Sequence, residues 1–182
     1  MKFRDTSKIV TFYTRDYGKL KAVAKGARDT KSKFGAALEP MTHVALVIYK
    51  KQNRDLQLIS QCDILSVYKR IHSEMERMSV ALAMVELVDR VTHHEEENAG
   101  LFSLITDCLG ALEKSEGNFQ FLLPVFELRM ASQCGYAPSL EKCANCGKGL
   151  QTFDPKDLGM FQVTKGAVLC PICLERPSET GL

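Results

Sequence analysis

Ile9-Val-Thr-Phe-Tyr-Thr14, then Asp16-Tyr-Gly18, then Leu20-Lys-Ala-Val-Ala24: β-branched and aromatic residues, a turn, and an alternating apolar run. That succession predicts two strands joined by a tight turn. A looser stretch, Gly26 to Pro40, interrupts the pattern. Val44-Ala-Leu-Val-Ile-Tyr49 is a continuous apolar run closed by Lys50-Lys-Gln-Asn-Arg-Asp55, and Leu56 to Leu65 supplies another strand. Short strands, tight turns and one longer interruption suit a small barrel, with a β-sandwich fragment as the alternative.

From residue 67 the period changes. Ile71, Met75, Met78, Leu82, Val85 and Val88 recur at helical spacing and predict one apolar face of a long helix. His93-His-Glu-Glu-Glu-Asn-Ala-Gly100 breaks it, as a solvated interhelical turn. Leu101, Leu104, Ile105, Cys108, Leu109 and Leu112 form a second face, and Phe119, Leu122, Phe126 and Met130 a third. Asn118 is the expected N-cap of that third helix, Pro124 a kink or its true start, and Gly135 its stop. The expected class is α+β, with a barrel domain over 1–65 and a helical domain over 66–182.

The chain has 182 residues, 45% hydrophobic and 25% charged, an ordinary globular composition. No apolar run reaches the ~18 residues that span a bilayer. Met1-Lys-Phe-Arg-Asp5 has no apolar segment behind it, so neither a signal peptide nor a membrane role is expected. The net charge of +2 conceals a polarity: residues 1–70 carry fifteen Lys or Arg against six acids, and the remainder nine against sixteen. A basic N-terminal part points to a polyanionic partner.

Seven cysteines without a signal peptide argue for a reducing compartment rather than a disulfide framework. Cys62, Cys108 and Cys134 sit among apolar neighbours and read as small core residues. The other four form Cys143-Ala-Asn-Cys146-Gly-Lys and Cys170-Pro-Ile-Cys173. Two-residue spacing turns both thiolates of a pair toward one ion. Met160-Phe-Gln-Val and Ala167-Val-Leu169 read as a hairpin delivering the second pair. Four thiolates close a tetrahedron and leave no open position, so the expected ion is a structural zinc, with iron in the same cage or a redox dithiol as competitors.

Other motifs carry less. His72-Ser-Glu74 fits half of a zinc-deaminase signature, but neither cysteine pair has the required preceding proline. His93 to Glu97 lacks a metalloprotease spacing, and no Gly-rich phosphate loop or nucleophile elbow occurs. Nothing supports an enzyme. Lys25-Gly-Ala-Arg-Asp-Thr-Lys-Ser-Lys-Phe34 does carry a signal: four cations mixed with glycine and hydroxyls, as phosphate contacts require. Tyr13, Tyr17, Phe34 and Tyr49 are candidates to stack on unpaired bases.

These residues also carry a family resemblance. The ordered set is Val10-Thr-Phe-Tyr-Thr, Gly18-Lys-Leu, Val23-Ala-Lys-Gly-Ala-Arg28, Lys31-Ser-Lys-Phe34, Leu38-Glu-Pro40, Glu86-Leu-Val, Phe126-Glu-Leu-Arg, Gly135-Tyr-Ala-Pro-Ser-Leu and the two cysteine pairs. It resembles the RecO recombination-mediator family over nearly the whole length. The resemblance implies an N-terminal OB-fold and a helical domain with an embedded zinc finger, here 143–173. It implies recombinational repair without enzymatic activity: binding of single- and double-stranded DNA, annealing, and, with RecR, help for RecA in replacing single-strand-binding protein. It places this protein in the bacterial cytoplasm, at the nucleoid. DNA binding carries over to Lys25, Arg28, Lys31 and Lys33, more loosely to Lys19 and Lys21, and the zinc role to Cys143, Cys146, Cys170 and Cys173. Family members begin with a full strand before the position of Arg4 and continue past the second cysteine pair. The chain is therefore expected to be clipped at both ends, with an exposed barrel edge. The alternative from another class is a zinc-containing protein adaptor whose basic face is incidental.

Overall fold

A computed structural model describes residues 6–49, 56–154, 156 and 159–175. It divides into two compact units, Met1–Glu127 and Leu128–Leu182. The expected first-strand remnant around Arg4 and the polar cluster Lys50–Asp55 lie outside the described residues.

In the first unit, β1 (Lys8–Thr14), β2 (Gly18–Ala24), β3 (Thr42–Tyr49) and β4 (Leu56–Val67) form one sheet in the order β1-β2-β4-β3. β1 and β2 are an antiparallel hairpin in register from Lys8↔Ala24 to Thr14↔Gly18. β2 runs parallel to β4 over Lys21↔Leu56 to Val23↔Leu58, and β3 pairs antiparallel with β4, with register shifts at His43/Val44 and Val47/Ile48. Among the described residues the sheet is open, β1 and β3 being its edges, so the expected barrel is not closed here.

The stretch expected to be loose is folded. Arg28 N–H donates to Thr6 O (2.9 Å), Asp29 to Gly26 O (3.2 Å) and Ser32 to Asp29 O (2.9 Å), and a 3-10 turn follows at Gly35–Leu38. It turns Phe34, Ala37 and Leu38 onto one face of the sheet, beside Leu20, Ala22, Ala24, Ile59 and Cys62. A one-sided sheet needs such a cover, because its apolar face must be removed from water.

The long helix expected through Ile71–Val88 is two. α1 (Lys69–Ser73) and α2 (Met75–Val91) part at Glu74, whose backbone is extended (φ −111°, ψ 114°). The buried stripe of α2 is Arg77, Ala81, Met84 and Val88. Met75, Leu82 and Val85, expected in the core, are exposed, Met75 at 82%. Arg77 accounts for the rotation. Its guanidinium bonds Glu74 Oε2 (2.5 Å), Ser115 Oγ (2.6 Å), Ser115 O (2.8 Å) and Leu112 O, and lies 4.4 Å from the centroid of the Phe119 ring. A buried cation so fully bonded holds its helix face inward. α3 (Ala99–Lys114) buries the expected Leu101, Leu104, Ile105, Cys108, Leu109 and Leu112. Its N-cap is Asn98, whose Oδ1 accepts from Leu101 N–H (2.8 Å).

The His93–Glu97 turn is not merely solvated. Glu95, at φ +58°, donates its N–H to Lys19 O (2.9 Å), and the Glu96 carbonyl lies against Gly18. α4 (Leu122–Gln133) starts four residues after Asn118, which therefore does not cap it, and Pro124 stands in its first turn. Gly135 (φ +84°) ends it: Gly135 N–H reaches Ser132 O (3.1 Å) and Tyr136 N–H reaches Ala131 O (2.8 Å). In the second unit, β5 (Ser139–Cys143), β6 (Met160–Gln162) and β7 (Ala167–Leu169) make a three-stranded sheet ordered β5-β7-β6, and α5 (Pro171–Glu175) follows. No helix among the described residues is long and apolar enough to cross a membrane.

Candidate functional site

Cys143 closes β5, and the chain turns back at Gly147 (φ +71°), whose N–H donates to Cys143 O (3.0 Å). A left-handed residue there lets the loop curl around its own thiols. Cys170 follows β7, Pro171 opens α5, and Cys173 lies within that helix. The two pairs converge: the four Sγ atoms lie within 4.8 Å of one another.

The residues fit a tetrahedral metal. Zinc–sulfur bonds of about 2.3 Å give a tetrahedral edge of about 3.8 Å. Cys146 Sγ and Cys170 Sγ are 3.8 Å apart. Backbone N–H groups of Asn145 (3.4 Å) and Cys170 (3.3 Å) point at Cys143 Sγ, as thiolate ligands require. Burial pushes the Cys143 thiol up, but hydrogen bonds from the backbones of Cys146, Cys170 and Asn145 outweigh it and bring its pKa down to about 6. At Cys173 the Asn145 side chain lowers the pKa, yet burial and the Cys170, Cys146 and Cys143 side chains together push it up to about 12. Four thiols this close cannot all ionise unless a cation sits among them. Asn145 was not singled out from the sequence; its only signal was its place inside the first Cys-x-x-Cys.

His72 and Glu74 do not form a second centre. Glu74 binds Arg70 (3.1 Å) and Arg77 (2.5 Å), and these hydrogen bonds, Arg77's first, hold its carboxyl below the usual range. The cysteine quartet is the one His/Cys/Asp/Glu group among the described residues placed to hold a metal.

The basic segment lies in the first unit. Lys25, Arg28, Lys31 and Lys33 are all exposed. Lys33 Nζ donates to Ser60 O (2.6 Å) and stands 5.1 Å from the centroid of the Phe34 ring. Phe34 is 4% exposed, a core residue rather than a stacking platform, because the 3-10 turn folds it inward. Of the loosely assigned pair, Lys21 is exposed on β2, whereas Lys19 is held by α2: its Nζ donates to Asp89 O (2.5 Å) and pairs with Asp89 Oδ1 (3.3 Å). Tyr13 packs against Phe102 (ring centroids 6.4 Å apart), while Tyr17 and Tyr49 are exposed.

An N-terminal sheet bearing a basic turn, helices after it, and a four-thiol knuckle able to hold a metal define an α+β protein. Comparison with known proteins agrees and goes further. Residues 1–68 match the family model described as recombination protein O N terminal, and residues 72–179 the one described as recombination protein O C terminal. The chain is 36% identical over 175 residues to the DNA repair protein RecO of Chlorobium limicola, covering 94% of this chain and 67% of the relative. It is 32% identical to those of Syntrophus aciditrophicus (98% and 67%) and Heliobacterium modesticaldum (99% and 64%). It thus spans about two thirds of the length of these relatives. The chain belongs to the recombination protein O family.

Proposed function

We propose that this protein is a DNA-binding recombination mediator in recombinational DNA repair, with no catalytic activity of its own. Exposure of Lys25, Arg28, Lys31 and Lys33 on one hydrogen-bonded turn carries this reading, in a family whose relatives are named DNA repair proteins. Cations on an ordered turn grip phosphates without reading sequence. The open sheet belongs to an OB-fold-like barrel over 1–65, and 66–182 form the helical domain. Single- and double-stranded DNA are the nucleic-acid partners. RecR and single-strand-binding protein are the protein partners, with RecA served indirectly. The setting is the bacterial cytoplasm, at the nucleoid. Zinc in the cysteine quartet is structural.

Titration of labelled single-stranded DNA at several salt concentrations tests this. If about four phosphates are neutralised, log affinity falls against log salt with a slope of about −3. Replacing Lys31 and Lys33 by Ala makes it shallower, to about −1.5. A double mutant that keeps the wild-type slope sinks the assignment.

The exposed Met75, Leu82 and Val85 on α2 favour a second reading, a zinc-containing adaptor that works through protein contacts. It predicts no DNA affinity at moderate salt.

A further inference from the structure

The two cysteine pairs receive their hydrogen bonds in different ways. Cys143 is buried and served by backbone: the N–H groups of Asn145 (3.4 Å) and Cys170 (3.3 Å) point at its Sγ. Cys173 lies inside α5, where the next N–H, that of Leu174, donates to Cys170 O (3.0 Å) and closes the helical turn. The Cys173 sulfur is reached from the other pair instead, by the side chain of Asn145, whose hydrogen bond favours the ionised sulfur. A bond of that sign comes from the amide N–H, the donor of this side chain.

Asn145 therefore touches one thiol of each pair, and its loop is fixed on both sides of it. The preceding residue, Ala144, donates its N–H to Val168 O (2.8 Å) on β7, the strand that leads into Cys170. Two residues later Gly147 donates to Cys143 O (3.0 Å). Charge gives the contact its weight. Four thiolates around a divalent cation leave the cluster with an excess of negative charge, which N–H donors offset. Cys143 and Cys170 are buried, whereas Cys146 is exposed and Cys173 half-buried. Water competes at the outer ligands, so a fixed donor matters most there.

We propose that Asn145 is a positioning residue of this metal site, locking one ligand of each pair: its backbone N–H orients Cys143 and its side-chain amide orients Cys173. The inference rests on the zinc reading above and adds to it a residue outside the ligand set. An amide is needed rather than any side chain of that size, because the contact is a donation to sulfur.

The test uses the full 182-residue chain loaded with zinc and titrated against a chromophoric chelator. Asn145 is exposed, so its substitution spares the core. Asn145→Ala removes the side-chain donor and keeps the backbone one, while Asn145→Asp keeps the size and puts an anion in place of the donor. Both lower zinc affinity about ten- to a hundred-fold, Asn145→Asp at least as much as Asn145→Ala. Cobalt(II) in place of zinc reports on the sulfur directly. Loss of a hydrogen bond raises the energy of the thiolate electrons, so the sulfur-to-cobalt charge-transfer band moves to lower energy in Asn145→Ala. Alkylation of the zinc-loaded Asn145→Ala chain, read by peptide mass, rises at Cys173 relative to Cys146. Wild-type zinc affinity in Asn145→Asp shows that size rather than donation matters, and overturns the proposal. Weakened affinity with an unmoved cobalt band also overturns it, reducing Asn145 to a loop residue. A wild type that binds zinc no more tightly than either variant removes the role of Asn145 alone. A wild type that binds no zinc removes the zinc reading and this one with it.

Discussion

Gly18 has no room for a side chain: it sits at φ +59°, and an added Cβ would lie 1.9 Å from the Glu96 carbonyl oxygen. Gly18→Ala therefore combines a left-handed backbone cost with a backbone clash and destabilises by more than about 2 kcal/mol, measured by denaturant titration. The sequence marks Gly18 as a turn glycine; only the docking of the 93–97 turn explains why nothing larger fits. Phe34 reverses its expected role. Beside Lys33 it looks like a base-stacking ring, but it belongs to the core, and Phe34→Ala should cost about 3–5 kcal/mol of stability. A stable Phe34→Ala variant with weakened DNA binding would overturn that placement. Among the cysteines the residue types alone point to the chemistry. Cys146→Ala or Cys173→Ala should lower metal content from about one zinc per chain, read by elemental analysis.

The elements depend on polar contacts that periodicity cannot see. α1 is only five residues long, and its N-terminus is capped from α3: Glu113 accepts from Arg70 N–H (3.0 Å) and Ile71 N–H (3.1 Å). Glu113→Ala should cost about 1–3 kcal/mol, since it leaves charge-assisted helix donors unsatisfied. Glu74 joins the α1–α2 break to Arg70 and Arg77, which lower its pKa. A depressed folded pKa stabilises above the unfolded value, near 4.3, and that contribution disappears as pH falls through the folded value. Stability should fall as pH drops below the ordinary carboxylate range, and less steeply in Glu74→Gln; identical pH curves would remove Glu74 from this role. The face of α3 was legible because its large buried residues, Leu101 to Leu112, obey one period. The face of α2 was not, because a residue normally found at the surface, Arg77, is held inside by partners 35 and 38 residues away.

For the whole molecule, division into two compact units predicts a local response to metal loss. Chelation should raise hydrogen exchange over residues 139–175 and leave the protection of β1–β4 unchanged; loss of protection throughout would show that the metal holds both units. Composition and spacing by themselves determined the class, the strand segments, the cysteine quartet and the basic turn. These are local properties: a period of two, a two-residue ligand spacing, or a cluster of cations is complete within a few residues. Tertiary structure alone decided that the sheet is open among its described residues and that Phe34 lies inside. It also turned Arg77 rather than Met75 inward, tied Lys19 to Asp89, and set Asn145 against Cys173. Each depends on which distant backbone supplies a partner or a register, and no local pattern encodes that pairing.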